Sequence, residues 1–207
     1  MTELIARFVQ GIAVCYLASG ILRCIRKNVA EHKLPRENAQ QFYIFLFISG
    51  FCFYPDKWII STIMILFIAC LGAMAYTDFY TRQIYVFFYV IVALIGYGQM
   101  AFCQDWRSMG SILIFILVVL AGKLFKAYTI GDAEMLIAAA PYISLIAERN
   151  AVDGLLLLFV YYWLGMFFWM INWLLYMLVK RIWKMKFPMV PFMYAALITI
   201  LCLENFL

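Results

Sequence analysis

Charged residues are scarce in this chain, and their scarcity decides the class of protein. Only 13% of the 207 residues are charged and 68% are hydrophobic, with a mean hydropathy of +0.95. A soluble domain has roughly half its residues apolar and about a quarter charged. The composition excludes a soluble globular protein and predicts an all-α polytopic membrane protein. The length leaves no room for a large soluble domain, so we expect one membrane-embedded domain over residues 1–207.

Residues for the common catalytic and metal sites are also missing. The single histidine, His32, lies in a charged loop and has no partner for a metal site. The six cysteines form no C-x-x-C pair, so we expect buried small hydrophobic side chains rather than zinc ligands or a disulfide framework. No G-x-S-x-G or H-E-x-x-H motif and no phosphate-cradling glycine loop occurs. We expect no metal, no cofactor and no nucleic acid partner.

Apolar runs occupy most of the sequence. A membrane-spanning helix needs roughly 20 apolar residues to cross a hydrocarbon core about 30 Å thick. Eight runs approach or exceed this length, at residues 4–22, 40–54, 58–76, 84–103, 109–126, 133–147, 151–179 and 188–206. The second, sixth and eighth runs are the shortest or least certain. The sequence therefore predicts a bundle of six to eight transmembrane helices, with eight favoured.

Positive charges favour the eight-helix arrangement, because it gathers them on one side. Twelve basic residues share that side: Arg23, Arg26, Lys27, Lys33, Arg36, Arg82, Lys123, Lys126, Lys180, Arg181, Lys184 and Lys186. Only Lys57, Arg107 and Arg149 fall on the other side, and Arg7 lies inside the first run. Lysine and arginine accumulate in cytoplasmic loops. We therefore expect a multi-pass protein of the inner (cytoplasmic) membrane, with both termini facing away from the cytoplasm.

Two short polar breaks each carry an aspartate where an apolar run meets basic residues. Asp78 and Asp132 both fall at the cytoplasmic face in the eight-helix arrangement. A carboxylate in such a position is costly and is a candidate for function. Two carboxylates held close share one proton, so the charged one takes a proton from water while the neutral one polarises a carbonyl. This division of labour is that of an aspartic protease.

The residues around the aspartates allow a second interpretation. Gly131 has no Cβ, so its backbone can take unusual dihedral angles and let another chain approach closely. Asp132 would then lie at the N-terminal end of a helix, where the helix dipole favours an anion. Asp132 could equally be only a helix N-cap, with Asp78 ending a span near Arg82. Spacing alone leaves both interpretations open.

The flanking residues resemble those of a known family. The segment D-F-Y-T-R-Q-I at residues 78–84 resembles the D-l-x-x-R-x-I segment of type IV prepilin peptidases. T-I-G-D at residues 129–132 resembles their second motif, G-x-G-D, and M-L-I-A-A-A at 135–140 matches the helix that follows it. F-P-M-V-P-F at residues 187–192 is similar to the P-F-x-P-F segment that opens their final span. The motifs occur in the family's order.

The resemblance implies an intramembrane aspartic endopeptidase that uses Asp78 and Asp132 to remove the basic leader of prepilins at the cytoplasmic face. Its implied partners are a prepilin or pseudopilin with a single transmembrane helix, and membrane lipids. The chain departs from the family at Thr129, which replaces the first glycine of G-x-G-D, and at Glu134, which replaces a lysine. It also lacks the cysteine-bearing cytoplasmic domain associated with N-methylation, which implies a short form with peptidase activity alone.

Two supporting residues and two rival functions complete the expectations. Glu134 lies two residues after Asp132, so on a helix it points about 200° away and cannot easily share the proton. Arg82 lies four residues after Asp78 and could pair with that carboxylate or anchor the topology. The rival functions are a catalytically inactive membrane subunit of a pilus or secretion assembly and a transporter that uses the aspartates as a proton relay.

Overall fold

The computed structural model describes residues 2–28, 39–53, 58–81, 85–103, 106–125, 129–180 and 188–204. Within these residues the chain forms eight α-helices and no strand: α1 (Thr2–Asn28), α2 (Ala39–Cys52), α3 (Trp58–Thr81), α4 (Val86–Cys103), α5 (Trp106–Leu124), α6 (Ile130–Arg149), α7 (Gly154–Lys180) and α8 (Val190–Glu204). Each predicted apolar run corresponds to one helix. The all-α helical fold is therefore confirmed.

Four of the helices, α1, α3, α6 and α7, are long and apolar enough to cross a membrane. The other four are apolar but contain shorter stretches of 10–17 residues. Length and composition thus suggest a membrane protein, in agreement with the composition of the whole chain.

Helices α3 and α6 form the centre of the bundle. In each of them 72% of the apolar stretch is buried, compared with 28% in α1 and 17% in α7. Helix α3 packs on α1, α2, α4 and α8, while α6 packs on α4, α5 and α7. The two central helices are also the two that carry Asp78 and Asp132, so both aspartates lie on enclosed elements.

Helix α4 lies unusually close to α6 because residue 96 is a glycine. A Cβ at Gly96 would come within 2.8 Å of Cε2 of Tyr142, closer than real Cβ atoms approach a neighbour. Two hydroxyls fasten the helices: Tyr142 donates to the Val92 carbonyl at 2.7 Å, and Tyr97 donates to the Ile137 carbonyl at 2.9 Å. These contacts set how the start of α4 meets the start of α6.

Tyr194 holds α8 against α2 and α3. Its hydroxyl shares a buried hydrogen bond of 2.7 Å with Oγ of Ser49 on α2. On the α3 side, a Cβ at Gly72 would lie 3.3 Å from Cζ of Tyr194, so the missing side chain admits the ring. Helix α8 begins at Val190, about one turn before Tyr194. The start of α8 is therefore fixed beside the end of α3.

The cysteines are less buried than their apolar surroundings predict. Only Cys70 is buried, Cys24 and Cys103 are exposed, and three are intermediate: Cys15, Cys52 and Cys202. The expectation of buried cysteines is therefore wrong for five of the six. An apolar run shows that a segment avoids water, but the packing of the bundle decides which side of that segment is enclosed.

Candidate functional site

Asp78 lies in the last turn of α3 and is only 5% exposed. The last turn of a helix carries unpaired carbonyls and the negative end of the helix dipole, so this position disfavours a negative charge. The main-chain N–H of Val190 donates to Oδ2 of Asp78 at 3.2 Å. This donor is one of the N–H groups left without an intrahelical partner at the start of α8. The main-chain N–H at the start of α8 thus offsets the unfavourable electrostatic effect of the α3 C-terminus on the Asp78 carboxylate.

Asp132 is held by the first turn of its own helix and is 8% exposed. Thr129 is the N-cap of α6, with an extended backbone at φ −77° and ψ 168°. Its hydroxyl donates to Oδ2 of Asp132 at 2.6 Å, and its main-chain N–H donates to the same oxygen at 3.0 Å. The N–H of Asp132 lies 3.4 Å from the Thr129 hydroxyl oxygen and completes a capping box.

Two expectations about this turn are corrected. Thr129 is the N-cap, so Asp132 is the third residue of the helix and not its cap. Gly131 lies in the first turn of α6, and no glycine in the described segments has a positive φ. The predicted unusual dihedral angles are therefore wrong, because the helix begins at Ile130, ahead of the predicted run. Threonine fits position 129 without strain, and the capping box gives Asp132 a structural role beside any chemical one.

Tyr89 connects the two aspartates. It is 3% exposed on α4, and its phenol interacts electrostatically with both Asp132 and Asp78. The Glu134 carboxylate is also within electrostatic range of the Tyr89 phenol. Tyr89 precedes Gly96 by seven residues, about two turns, so the close approach of α4 to α6 also positions the phenol. Asp78, Asp132 and Glu134 all contribute to the electrostatic environment of this one buried tyrosine.

The predictions for the supporting residues Glu134 and Arg82 have different outcomes. Glu134 is exposed while Asp132 is buried, which agrees with their different directions on the helix. The Glu134 carboxylate is nevertheless within electrostatic range of Tyr89. Arg82 lies outside the described residues, as does His32, so the predicted pairing of Arg82 with Asp78 stays a prediction.

An apolar cavity of about 250 Å³ lies between α2, α3 and α8, toward the end of α3 that carries Asp78. A second groove of about 600 Å³ continues it toward α7. Both are lined by Phe79, which follows Asp78 in the chain, and by Pro191, which follows Val190. The chain neighbours of Asp78 and Val190 therefore border apolar space, although Asp78 itself does not line it.

Sequence reasoning missed two members of the site, Tyr89 and the main-chain N–H of Val190. Tyr89 is one of 14 tyrosines and lies in an apolar run with no local signal. Val190 acts through its backbone, so its residue type carries no information. A weak signal was available in Pro188 and Pro191, since proline favours the first turn of a helix.

No metal-binding group is found in the part of the chain that the structure describes, where no three His, Cys, Asp or Glu side chains converge. Protein-family models, curated proteins and solved structures contain no match to the chain. The chemistry of the site must therefore be inferred from its geometry and its sequence motifs.

Proposed function

We propose that this chain is an intramembrane aspartic endopeptidase of the prepilin peptidase type. The observation that carries the proposal is the arrangement of Asp78 and Asp132 about Tyr89, with each carboxylate buried and hydrogen-bonded. Keeping two carboxylates in an enclosed position is costly, and such groups are functional candidates by default. The motifs around both residues resemble those of the family.

In the proposed reaction the two carboxylates share one proton. The charged member removes a proton from water, whose oxygen attacks the carbonyl carbon of the scissile peptide bond, while the neutral member hydrogen-bonds the carbonyl oxygen. As the C–N bond breaks, a proton passes to the leaving nitrogen. Val190 N–H and the Thr129 hydroxyl orient the two carboxylates for these steps.

The proposed location is the cytoplasmic membrane, crossed by all eight helices. The shortest helices, α2 and α8, have 14 and 15 residues and span about 21–23 Å. Flanking residues would carry them across the rest of the bilayer. The distribution of basic residues in the loops supports the proposal that the aspartate end faces the cytoplasm.

The proposed substrate is a prepilin or pseudopilin with a basic leader and one transmembrane helix. The apolar cavity between α2, α3 and α8 would receive apolar side chains of the substrate helix. The helix must unwind at the scissile bond, because helical carbonyls are engaged in hydrogen bonds and are hidden from attack.

Cleavage of a tagged prepilin from the same cells tests the proposal. Asp78→Asn and Asp132→Asn should each reduce leader removal by about 100–10,000-fold or more, because each removes one partner in proton transfer. Asp153→Asn is the matched control, since this exposed acid caps α7 through Leu156 N–H at 3.0 Å. No leader removal by the unmodified chain would refute the peptidase, and full cleavage by either site variant would refute the residue assignment.

An inactive membrane subunit of a pilus or secretion assembly is the second candidate. The departures at Thr129 and Glu134 favour it, since both lie beside Asp132. The same assay separates the two: an inactive subunit would leave the leader in place, and Asp78→Asn would not change pilus or secretion output.

A further inference from the structure

Cys52 and Cys202 bring two thiols together at the end of the bundle opposite the aspartates. Their sulfur atoms are 3.3 Å apart, although 150 residues separate them in the chain. Cys52 is the last residue of α2, and Cys202 lies two residues before the end of α8. Along α8, twelve residues separate Cys202 from Val190 beside Asp78, a distance of about 18 Å.

The geometry needs little change to form a covalent bond. A disulfide has a sulfur–sulfur distance of about 2.05 Å, so the two sulfurs must approach by little more than about 1 Å. The helices are already held in register by the hydrogen bond of 2.7 Å between Ser49 and Tyr194. Both cysteines are partly exposed near helix ends, where an oxidant can reach them.

We infer that Cys52 and Cys202 form a disulfide that joins α2 to α8 on the non-cytoplasmic side of the membrane. The inference rests on the proposed orientation of the bundle and not on peptidase activity. The loops and helix ends that follow α1, α3, α5 and α7 contain twelve basic residues in the sequence, so the proposed orientation puts the thiol pair away from the cytoplasm. Disulfides form and persist in such oxidising compartments.

The oxidant is a disulfide-bearing thiol oxidoreductase of that compartment. The Cys52 thiolate attacks its disulfide, forms a mixed disulfide and releases one oxidant thiol. The Cys202 thiolate then attacks the Cys52 sulfur and releases the second, so the oxidant gains the two electrons and both protons.

The bond would connect two walls of the apolar cavity between α2, α3 and α8. Helix α2 supplies Phe42 and Phe45 to that cavity, and α8 supplies Pro191 and Tyr194. A disulfide at the far end limits how widely these walls separate while leaving the aspartate end unlinked.

Differential thiol labelling in the cells that make the protein tests the inference. Cells are lysed into acid to stop thiol exchange, and the denatured chain is alkylated with light N-ethylmaleimide, reduced, and alkylated with the heavy reagent. Cys52 and Cys202 should carry the heavy label in most molecules, while Cys24 and Cys103 carry the light one. Light label on both Cys52 and Cys202 would overturn the inference.

Single substitutions serve as controls. Cys52→Ser should leave Cys202 with the light label, and Cys202→Ser should do the same for Cys52, whereas Cys24→Ser should change neither. Treating the purified protein with oxidised glutathione tests whether the geometry of the two cysteines permits a disulfide, independently of the cellular compartment. A pair that oxidises there but stays reduced in cells would overturn both the disulfide and the proposed orientation, while leader cleavage would still report on the peptidase independently.

Discussion

Asp78 and Asp132 are buried to similar extents but are supported in opposite ways. Asp132 lies at the favourable end of a helix, and its hydrogen-bond donors come from Thr129, three residues away. Asp78 lies at the unfavourable end of a helix, and Val190, its donor, lies 112 residues later in the chain. One half of the site is therefore a property of a four-residue turn, while the other half depends on how distant helices pack.

Among the residues that support the two carboxylates, Val190 should have the largest effect on leader cleavage when its N–H is removed. Val190→Pro deletes the N–H that binds Asp78 at a first helical position where proline is tolerated. A hydrogen bond to a charged group contributes about 1.5–3 kcal/mol, so leader cleavage should fall roughly 10–100-fold. The measurement is the rate of prepilin cleavage by purified protein in detergent.

Two comparisons make the Val190 experiment specific. Val190→Ala also removes buried side-chain atoms but keeps the N–H, and it should retain most of the activity. In an Asp78→Ala background, Val190→Pro should lower the thermal unfolding midpoint less than it does alone. Equal losses in both backgrounds would show that Val190 does not act through Asp78.

The local support of Asp132 should be less sensitive. Thr129→Val removes the hydroxyl but keeps the main-chain N–H on the carboxylate, so one of the two donors survives. Loss of a cap costs typically about 1 kcal/mol, which corresponds to a roughly fivefold lower cleavage rate. Thr129→Ser keeps the hydroxyl and should cleave normally; a serine variant as slow as the valine one would exclude the capping explanation.

The smallest effect is expected at the residue shared by both halves. Tyr89→Phe removes the hydroxyl that lies within electrostatic range of Asp78, Asp132 and Glu134 but leaves the ring in place, and we expect a change in cleavage rate of about two- to fivefold. Tyr97→Phe on the same helix is the control, because its hydroxyl binds only the Ile137 carbonyl in the α4–α6 contact. A similar activity loss in both variants would assign Tyr89 a packing role.

The same contrast explains what the sequence could predict. Hydrophobicity is a local property, so eight apolar runs predicted eight helices with small errors at their ends. The capping box of Thr129 and Asp132 is also local, and its residue spacing is visible in the chain. The prediction of unusual dihedral angles at Gly131 was wrong within this same turn. The helix starts three residues earlier than the predicted run, and that difference changes the role of each residue near its start.

Contacts between helices were beyond sequence reasoning. Tyr89 lies near the aspartates because Gly96 allows α4 to pack closely on α6. Many other glycines in apolar runs could serve in such a contact, so the sequence does not single out Gly96. The approach of Cys52 to Cys202 likewise depends on the packing of α2 along α8. Such pairings depend on how many side chains along both helices fit together, and no single motif determines them.

The hydrogen bond from Val190 to Asp78 has a consequence for biogenesis. Asp78 enters the membrane 112 residues of translation before its donor exists. Until α8 inserts, the carboxylate lies at the end of α3 without this N–H and without the wall that carries Pro191. A peptidase of the proposed type could therefore not act until α8 has been made, which would protect the nascent chain and its neighbours from premature proteolysis.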